Sequence, residues 1–345
     1  MKGAITVLGQ LAGREAAARL VDGRLEELLL EAGAAAPGTL WRGKLGRPVK
    51  GLGGAFVDLP DGQRGFLRQP KGLRPGQTLV VQAAGVAEPG KAVALTDRIT
   101  LKGRLAVLTP GVPGVNVARG LRDDSERARL TALAEGAMDG APADCGVILR
   151  SAAEGAEASV LEAEIAQLRV QAAGLTSAGP VTLLQAAPGP HAVARRDWPA
   201  ADALDDGPQA FADHGVEALV AALLAPEHPL GDGAAMAIEP TRALVAVDVN
   251  TGTDMSPAAG LKANLAAVRA LPRALRLLGL GGQVVVDFAP MPKRDRGTLE
   301  QSLRAAIRRE GEGLALVGWT PLGHAELQRR RDRPPLAALL GGGRE

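Results

Sequence analysis

Two short runs of β-branched residues each end on one carboxylate: "TRALVAVDVN" at 241–250 closes with Asp248 and "GGQVVVDFAP" at 281–290 with Asp287. Their length and composition predict strands. Between them, residues 258–278 place Leu261, Leu265, Val268, Leu275 and Leu278 near one face, which predicts a helix packed on the sheet. Pro272 lies inside that helix and is expected to kink or split it. A second helix is predicted across 296–309, so from 235 onward the chain reads β-α-β-α. Residues 38–102 carry a different rhythm. The runs "TLWRGKLGRPV", "GGAFVDLP", "RGFLRQ", "QTLVVQAAGVA" and "AVALTDRITL" are short and separated by Gly, Pro or Asp-Gly. Asp61-Gly62 signals a hairpin between the second and third. Five such strands suggest a small closed barrel of the OB type; a β-sandwich has the same spacing.

The remaining segments are less sharply patterned. Residues 1–33 read as a strand, then strand or helix, with Asp22-Gly23 as a turn. Residues 103–185 mix strands, at "RLAVLTP" and "CGVILRSA", with two helices. The first is "DDSERARLTALAEGA", capped by Asp124 or Ser125, and the second carries Val160, Leu161, Ile165 and Leu168. "DWPAADALDDGP" reads as a loop or linker and "VEALVAALL" as a short helix.

Composition narrows the setting. A length of 345 residues suggests two or three compact units, and 46% hydrophobic residues supply a core. No apolar run reaches the roughly 18 residues that span a bilayer, and the charged N-terminus does not read as a secretory signal. A single cysteine, Cys145, excludes an intrachain disulfide and a Cys-rich zinc site and fits a reducing, cytoplasmic compartment. Net charge is only +2. The basic clusters Arg42, Lys44, Arg47, Lys50 and Gln328–Arg333 read equally as phosphate contacts or solvated faces. Tyr is absent, and two of the four Phe residues, Phe56 and Phe66, flank one hairpin. Ten residues apart, they can meet across it as a platform for bases; the alternative is barrel core.

The two carboxylates define the candidate chemistry. If their strands are parallel neighbours joined by the helix, Asp248 and Asp287 share the ligand-collecting edge of the sheet. Two acids so placed repel unless a cation neutralises them. Mg²⁺, which takes one or two carboxylates and keeps waters, would do so and would activate water on a phosphodiester. Asn250, two residues on, faces the same side by alternation, and its amide can position a water or phosphate oxygen. The plainer reading makes each Asp a strand-end cap.

The pattern "ALVAVDVNTG…LKANLAAVRALPRALRLLGLGGQVVVDF" resembles the catalytic region of the ribonuclease E/G family. "LVDGRLEELLLE", "GTLWRGKLGRPVKGLGGAFVDLPDGQRGFL", "GKAVALTDRITLKGRLAVL", "GVILRSAAEG" and "WTPLGHAELQRRR" resemble further family segments, in order over residues 1–340 and weakly across about 185–225. The resemblance implies an α/β multi-subdomain fold. Residues 1–37 would begin an RNase H-like part, interrupted by an S1-type OB β-barrel (38–104) and a 5′-sensor α+β subdomain (105–185). Residues 186–232 would be a shortened remainder of that part, and 233–345 a DNase I-like α/β catalytic subdomain.

It also implies roles. Asp248 and Asp287 would hold catalytic Mg²⁺, with Mn²⁺ as a substitute, and Asn250 would assist attack. Phe56, Phe66 and Lys91 would grip single-stranded RNA, and Arg150 with Ser151 would bind a 5′-monophosphate. The expected activity is Mg²⁺-dependent endonucleolytic cleavage of single-stranded, A/U-rich RNA in processing or decay, leaving 5′-phosphate and 3′-hydroxyl ends. Read without the resemblance, Lys91 after Pro-Gly is equally a solvated lysine, and Arg150 equally a salt-bridge residue.

Three departures stand out. No Cys-Pro-x-Cys zinc-link motif follows the catalytic region, so a homodimer joined by zinc is not expected, while dimerisation through other surfaces stays open. Pro290 sits where a further acid is usual, and Ala266 and Ala270 take two glutamate positions. These departures motivate a rival reading, an RNA-binding family member with weak or no turnover. An unrelated phosphate-metabolising α/β enzyme with an appended barrel is a third.

Overall fold

Asp22 and Gly23 both take positive φ, 51° and 77°, which is the two-residue turn that matches strand twist in a hairpin. Ala12-Gly13 does the same at 51° and 74°. The N-terminal segment is therefore a three-stranded antiparallel meander, Ala4–Leu11, Arg14–Val21 and Arg24–Leu30, with no helix. These relations come from a computed structural model, which describes residues 2–341 apart from Lys71, Glu88, Pro89, Met255, Pro257 and Glu312. The chain forms two compact units. One comprises Met1–Ala32, Gly189–Ala194 and Pro199–Glu345; the other comprises Gly33–Pro188 and Arg195–Trp198.

In the first unit the meander gains a parallel fourth strand, Ala203–Asp205, from a stretch whose Pro and Asp content reads as linker. A six-stranded sheet follows, ordered Glu227–Gly231, Ala234–Pro240, Val245–Asn250, Gly282–Asp287, Ala325–Arg329, Leu314–Trp319. Only its central pair, Val245–Asn250 and Gly282–Asp287, is parallel, joined by the crossover helix Ala259–Leu277. That helix is not split at Pro272. The buried proline ring joins the core face, and only the N–H that would reach the Val268 carbonyl is lost. The helix Arg296–Glu310 packs on the same side. Val245, Val247, Val249, Val284 and Val286 point inward, each 4% exposed or less. Alternation therefore turns the intervening side chains to the open face.

In the second unit, strands Leu40–Val49, Gly54–Asp58, Arg64–Arg68, Thr78–Ala83 and Val93–Thr96 close into a barrel. The third strand pairs parallel with the fifth, and the first closes onto the fourth. This is the OB-like barrel that the spacing suggested, and not a sandwich. Its core is Trp41, Leu45, Val57, Leu67, Val81, Val93 and their neighbours. A four-stranded sheet, Gly114–Val117, Gly146–Leu149, Ala106–Thr109 and Leu101–Lys102, packs with helices Asp124–Ala137 and Ala158–Ala173 around a separate core. The first of these helices is capped by Asp123, whose carboxylate accepts from the Ser125 and Glu126 amides, one residue earlier than the sequence suggested. Among the described residues, no helix is long and apolar enough to cross a membrane.

Candidate active site and nucleic-acid surface

Asp248 and Asp287 are direct partners in the parallel ladder. Neighbouring strands lie about 4.8 Å apart, and in-register residues point to the same face. Both side chains are exposed, because each follows a buried valine in strict alternation. The expected juxtaposition is present: two carboxylates stand side by side on the open face, at the C-terminal rim of the central pair. Asn250 lies on the same face and its Nδ2 donates to Asp248 Oδ2 at 2.7 Å. It thus orients that carboxylate and retains a second N–H and its carbonyl oxygen for a ligand.

One neighbour was not singled out from the sequence. His324 immediately precedes the strand Ala325–Arg329, whose pairing with Gly282–Asp287 ends at Val286–Ala325. One further step places it opposite Asp287, and its Nδ1 lies 3.1 Å from Asp287 Oδ1. The approach is within ion-pair range but is not aligned as a hydrogen bond, so Nδ1 is buried without one. The signal in the sequence is slight: His324 is one of four histidines and lies in "WTPLGHAELQRRR", a stretch that resembles the family without marking this residue.

Among the described residues no group of three or more His, Cys, Asp or Glu side chains is disposed to hold a metal. Two exposed carboxylates without a closed protein cage form a donor set for a hard cation that keeps most of its own waters. That fits Mg²⁺ better than a metal that prefers all-protein coordination.

The barrel displays a second candidate surface. Phe56 and Phe66 are paired in register across their hairpin, with ring centroids 5.4 Å apart at 70°. Both are half-buried, and neither belongs to the barrel core, which is filled instead by Ala55, Val57 and Leu67. The rings therefore lie on the outer face. The Arg64 guanidinium sits 5.6 Å from the Phe56 ring centre and also pairs with Asp58 at 3.1 Å. Gly54 lets Phe66 lie close to the sheet: a Cβ there would meet its ring at 2.6 Å. Lys91 is exposed in the bend ahead of the fifth barrel strand. Pro89, of the Pro-Gly pair before it, lies outside the described residues.

Arg150 follows the strand Gly146–Leu149, and Ser151 opens a short 3₁₀ turn with its side chain exposed. Arg150 Nη1 is 2.8 Å from Asp197 Oδ1 and donates to the Gly103 carbonyl at 2.7 Å. Burial pushes the Asp197 carboxyl up, but the guanidinium groups of Arg196 and Arg150 outweigh it and hold it below the usual range. The salt-bridge reading of Arg150 is therefore realised. A phosphate would have to engage the guanidinium nitrogens that this pairing leaves over.

The family model described as "Ribonuclease E/G family" matches residues 100–195 and 191–332. The chain belongs to the ribonuclease E/G family. It is 28% identical over 388 aligned positions to ribonuclease E of Nostoc sp. (strain PCC 7120 / SAG 25.82 / UTEX 2576), covering 94% of this chain and 56% of that protein. It is 26% identical over 366 positions to ribonuclease G of Salmonella typhimurium (strain SL1344), covering 88% and 74%. Against ribonuclease E of Escherichia coli (strain K12) it is 27% identical over 387 positions, covering 92% and 36%. The chain thus spans only about half of the Nostoc relative's length. The family match reaches the acid rim and Arg150 but begins beyond the barrel hairpin, whose aromatic pair rests on the geometry above.

Proposed function

We propose that this chain is an endoribonuclease that cleaves single-stranded RNA at the rim formed by Asp248 and Asp287. The observation that carries this reading is the in-register pairing of two exposed carboxylates on adjacent parallel strands. Two like charges so placed repel, and a bound cation would answer both at once. Asp248 and Asp287 would hold Mg²⁺, or Mn²⁺ in its place. When bound, such an ion supplies Lewis-acid polarisation of a phosphoryl oxygen and a lowered pKa for a coordinated water.

The protein's own contribution is position. Asn250 fixes the Asp248 carboxylate through its 2.7 Å hydrogen bond and turns its remaining amide atoms toward the open face, where a phosphate oxygen or attacking water is held. The Phe56–Phe66 pair, with Lys91, binds the strand by base stacking and charge. Arg150 and Ser151 contact a 5′-monophosphate. In this reading the five-part subdomain plan implied by the resemblance holds, with the OB-like barrel as the S1-type module and 233–345 as the catalytic part.

Cleavage of a 5′-monophosphorylated single-stranded RNA, with and without EDTA, tests the proposal. Asp248→Asn and Asp287→Asn should each abolish cleavage while leaving RNA affinity within about twofold. Full cleavage by either variant, or cleavage indifferent to EDTA, would refute the site. RNA binding by the wild type with no cleavage under Mg²⁺ or Mn²⁺ would favour the binding-only reading, which the alanines at 266 and 270 and Pro290 motivate.

A further inference from the structure

The central parallel ladder ends at Asp248 and Asp287. Beyond it the chain turns away through Phe288, Ala289 and Pro290 without further pairing to the strand Val245–Asn250. A strand end released from its ladder is where local opening begins. Yet Ala289 is only 4% exposed, so its N–H and carbonyl are withdrawn from water and need partners.

Both partners come from one side chain. Asn264, on the crossover helix and 0% exposed, donates from Nδ2 to the Ala289 carbonyl at 2.9 Å. Its Oδ1 accepts from the Ala289 N–H, also at 2.9 Å. Nδ2 additionally lies 3.5 Å from the Met291 sulfur. A fully buried amide is tolerated only when its hydrogen-bonding capacity is met, and here the Ala289 backbone meets it as another strand would. One helical turn earlier, on the same face, Gly260 abuts the next residue: a Cβ there would lie 2.0 Å from the Pro290 carbonyl oxygen. Helix and chain are therefore pinned at two successive residues, the second and third past Asp287.

We infer that Asn264, seconded by Gly260, is a positioning residue that sets the direction of the Asp287 carboxylate and hence the spacing of the acid pair. The backbone of Asp287 is held by the ladder on one side and by this amide clamp on the other. The helix that supplies the clamp is also the connection between the two acid-bearing strands. The inference rests on the reading of Asp248 and Asp287 as the cation-holding pair. It differs from a purely structural role in what it predicts: loosening the clamp degrades cation binding and not merely folding.

The test uses the full chain. Mn²⁺ binding is measured without RNA by electron paramagnetic resonance, alongside the Mg²⁺ concentration for half-maximal cleavage, RNA affinity and thermal melting. Asn264→Leu keeps the volume and removes both hydrogen bonds. Gly260→Ala keeps the amide and pushes on Pro290. Both should weaken Mn²⁺ binding and raise the Mg²⁺ requirement by about 10-fold or more, the range for loss of groups that orient metal ligands, with RNA affinity within twofold. A lowered melting temperature with Mn²⁺ affinity and Mg²⁺ requirement within twofold of wild type overturns the inference. If Asn264→Leu does not fold, Gly260→Ala decides by the same criterion. Asp287→Asn is the control: unaltered Mn²⁺ binding and cleavage in that variant would show the acid-pair reading to be wrong, and the inference falls with it.

Discussion

Replacing Phe56 with leucine separates a base-stacking platform from ordinary packing. The ring is half-buried and outside the barrel core, and its partner Phe66 stands edge-on at 5.4 Å. Leucine keeps an apolar group against the hairpin, so folding loses chiefly the ring–ring interaction, about 0.5–1.5 kcal/mol. RNA binding loses a stacked base, about 1–3 kcal/mol. At roughly 1.4 kcal/mol per tenfold, that is a 5- to 150-fold weaker Kd. Leu67→Ala supplies the contrast. Leu67 is 2% exposed in the barrel core, and its truncation should cost about 2–5 kcal/mol of stability. Fluorescence anisotropy with a short labelled single-stranded RNA, in EDTA to prevent turnover and at one fixed salt concentration, reads the first quantity. Urea melts read the second. Phe56→Leu binding within twofold of wild type, with a melt shifted like that of a core variant, would refute the platform and return Phe56 to packing.

Two further outcomes follow from charge. Glu126 is held down to about 2, first by its hydrogen bond from Arg129 and then by the Gly155 amide. Its folded value lies below the unfolded one, so its contribution is complete above about pH 4.5 and disappears as pH falls through 2. The urea midpoints of wild type and Glu126→Gln should therefore differ at pH 7 and converge between pH 4.5 and 2; a gap unchanged down to pH 2 contradicts the linkage. Arg150→Ala should erase any preference for 5′-monophosphorylated over 5′-hydroxyl RNA in competing cleavage reactions, and an unchanged ratio would leave Arg150 with its structural partners, Asp197 and the Gly103 carbonyl.

How much of this was legible beforehand depended on whether a feature is written in local sequence. The two acid strands were, because short runs of β-branched residues are a local signal; that they form a parallel pair was one reading of the helix between them, and the ladder realises it. The barrel was too, because its turns are marked by Gly and Asp-Gly. The N-terminal meander was only half legible. "RLEELLL" has the composition of a helix, and it is a strand because the Asp22-Gly23 turn returns it against Arg14–Val21. His324 and Asn264 were not legible as site neighbours, since each acts through a pairing to residues far along the chain, His324 with Asp287 and Asn264 with Ala289. For Arg150, sequence left two readings, and only the fold could bring Asp197 to it.

The same long-range placement gives the family departures a physical meaning. Ala266 lines a cavity of about 210 Å³ with Thr251, Lys262 and Arg269, just past the end of the strand that carries Asp248 and Asn250. Lys262 is paired with Asp232 at 2.6 Å and exposed, so its charge is partly answered there. That cavity is also lined by Asp232 and Asp254, so its two acids stand against Lys262 and Arg269 without any acid at 266. At 290 it is the backbone carbonyl, against which Gly260 packs, that contributes to holding the strand end. What the chain itself supplies at the acid pair is geometry, fixed by the ladder between the two strands and by the Asn264 contacts just past Asp287.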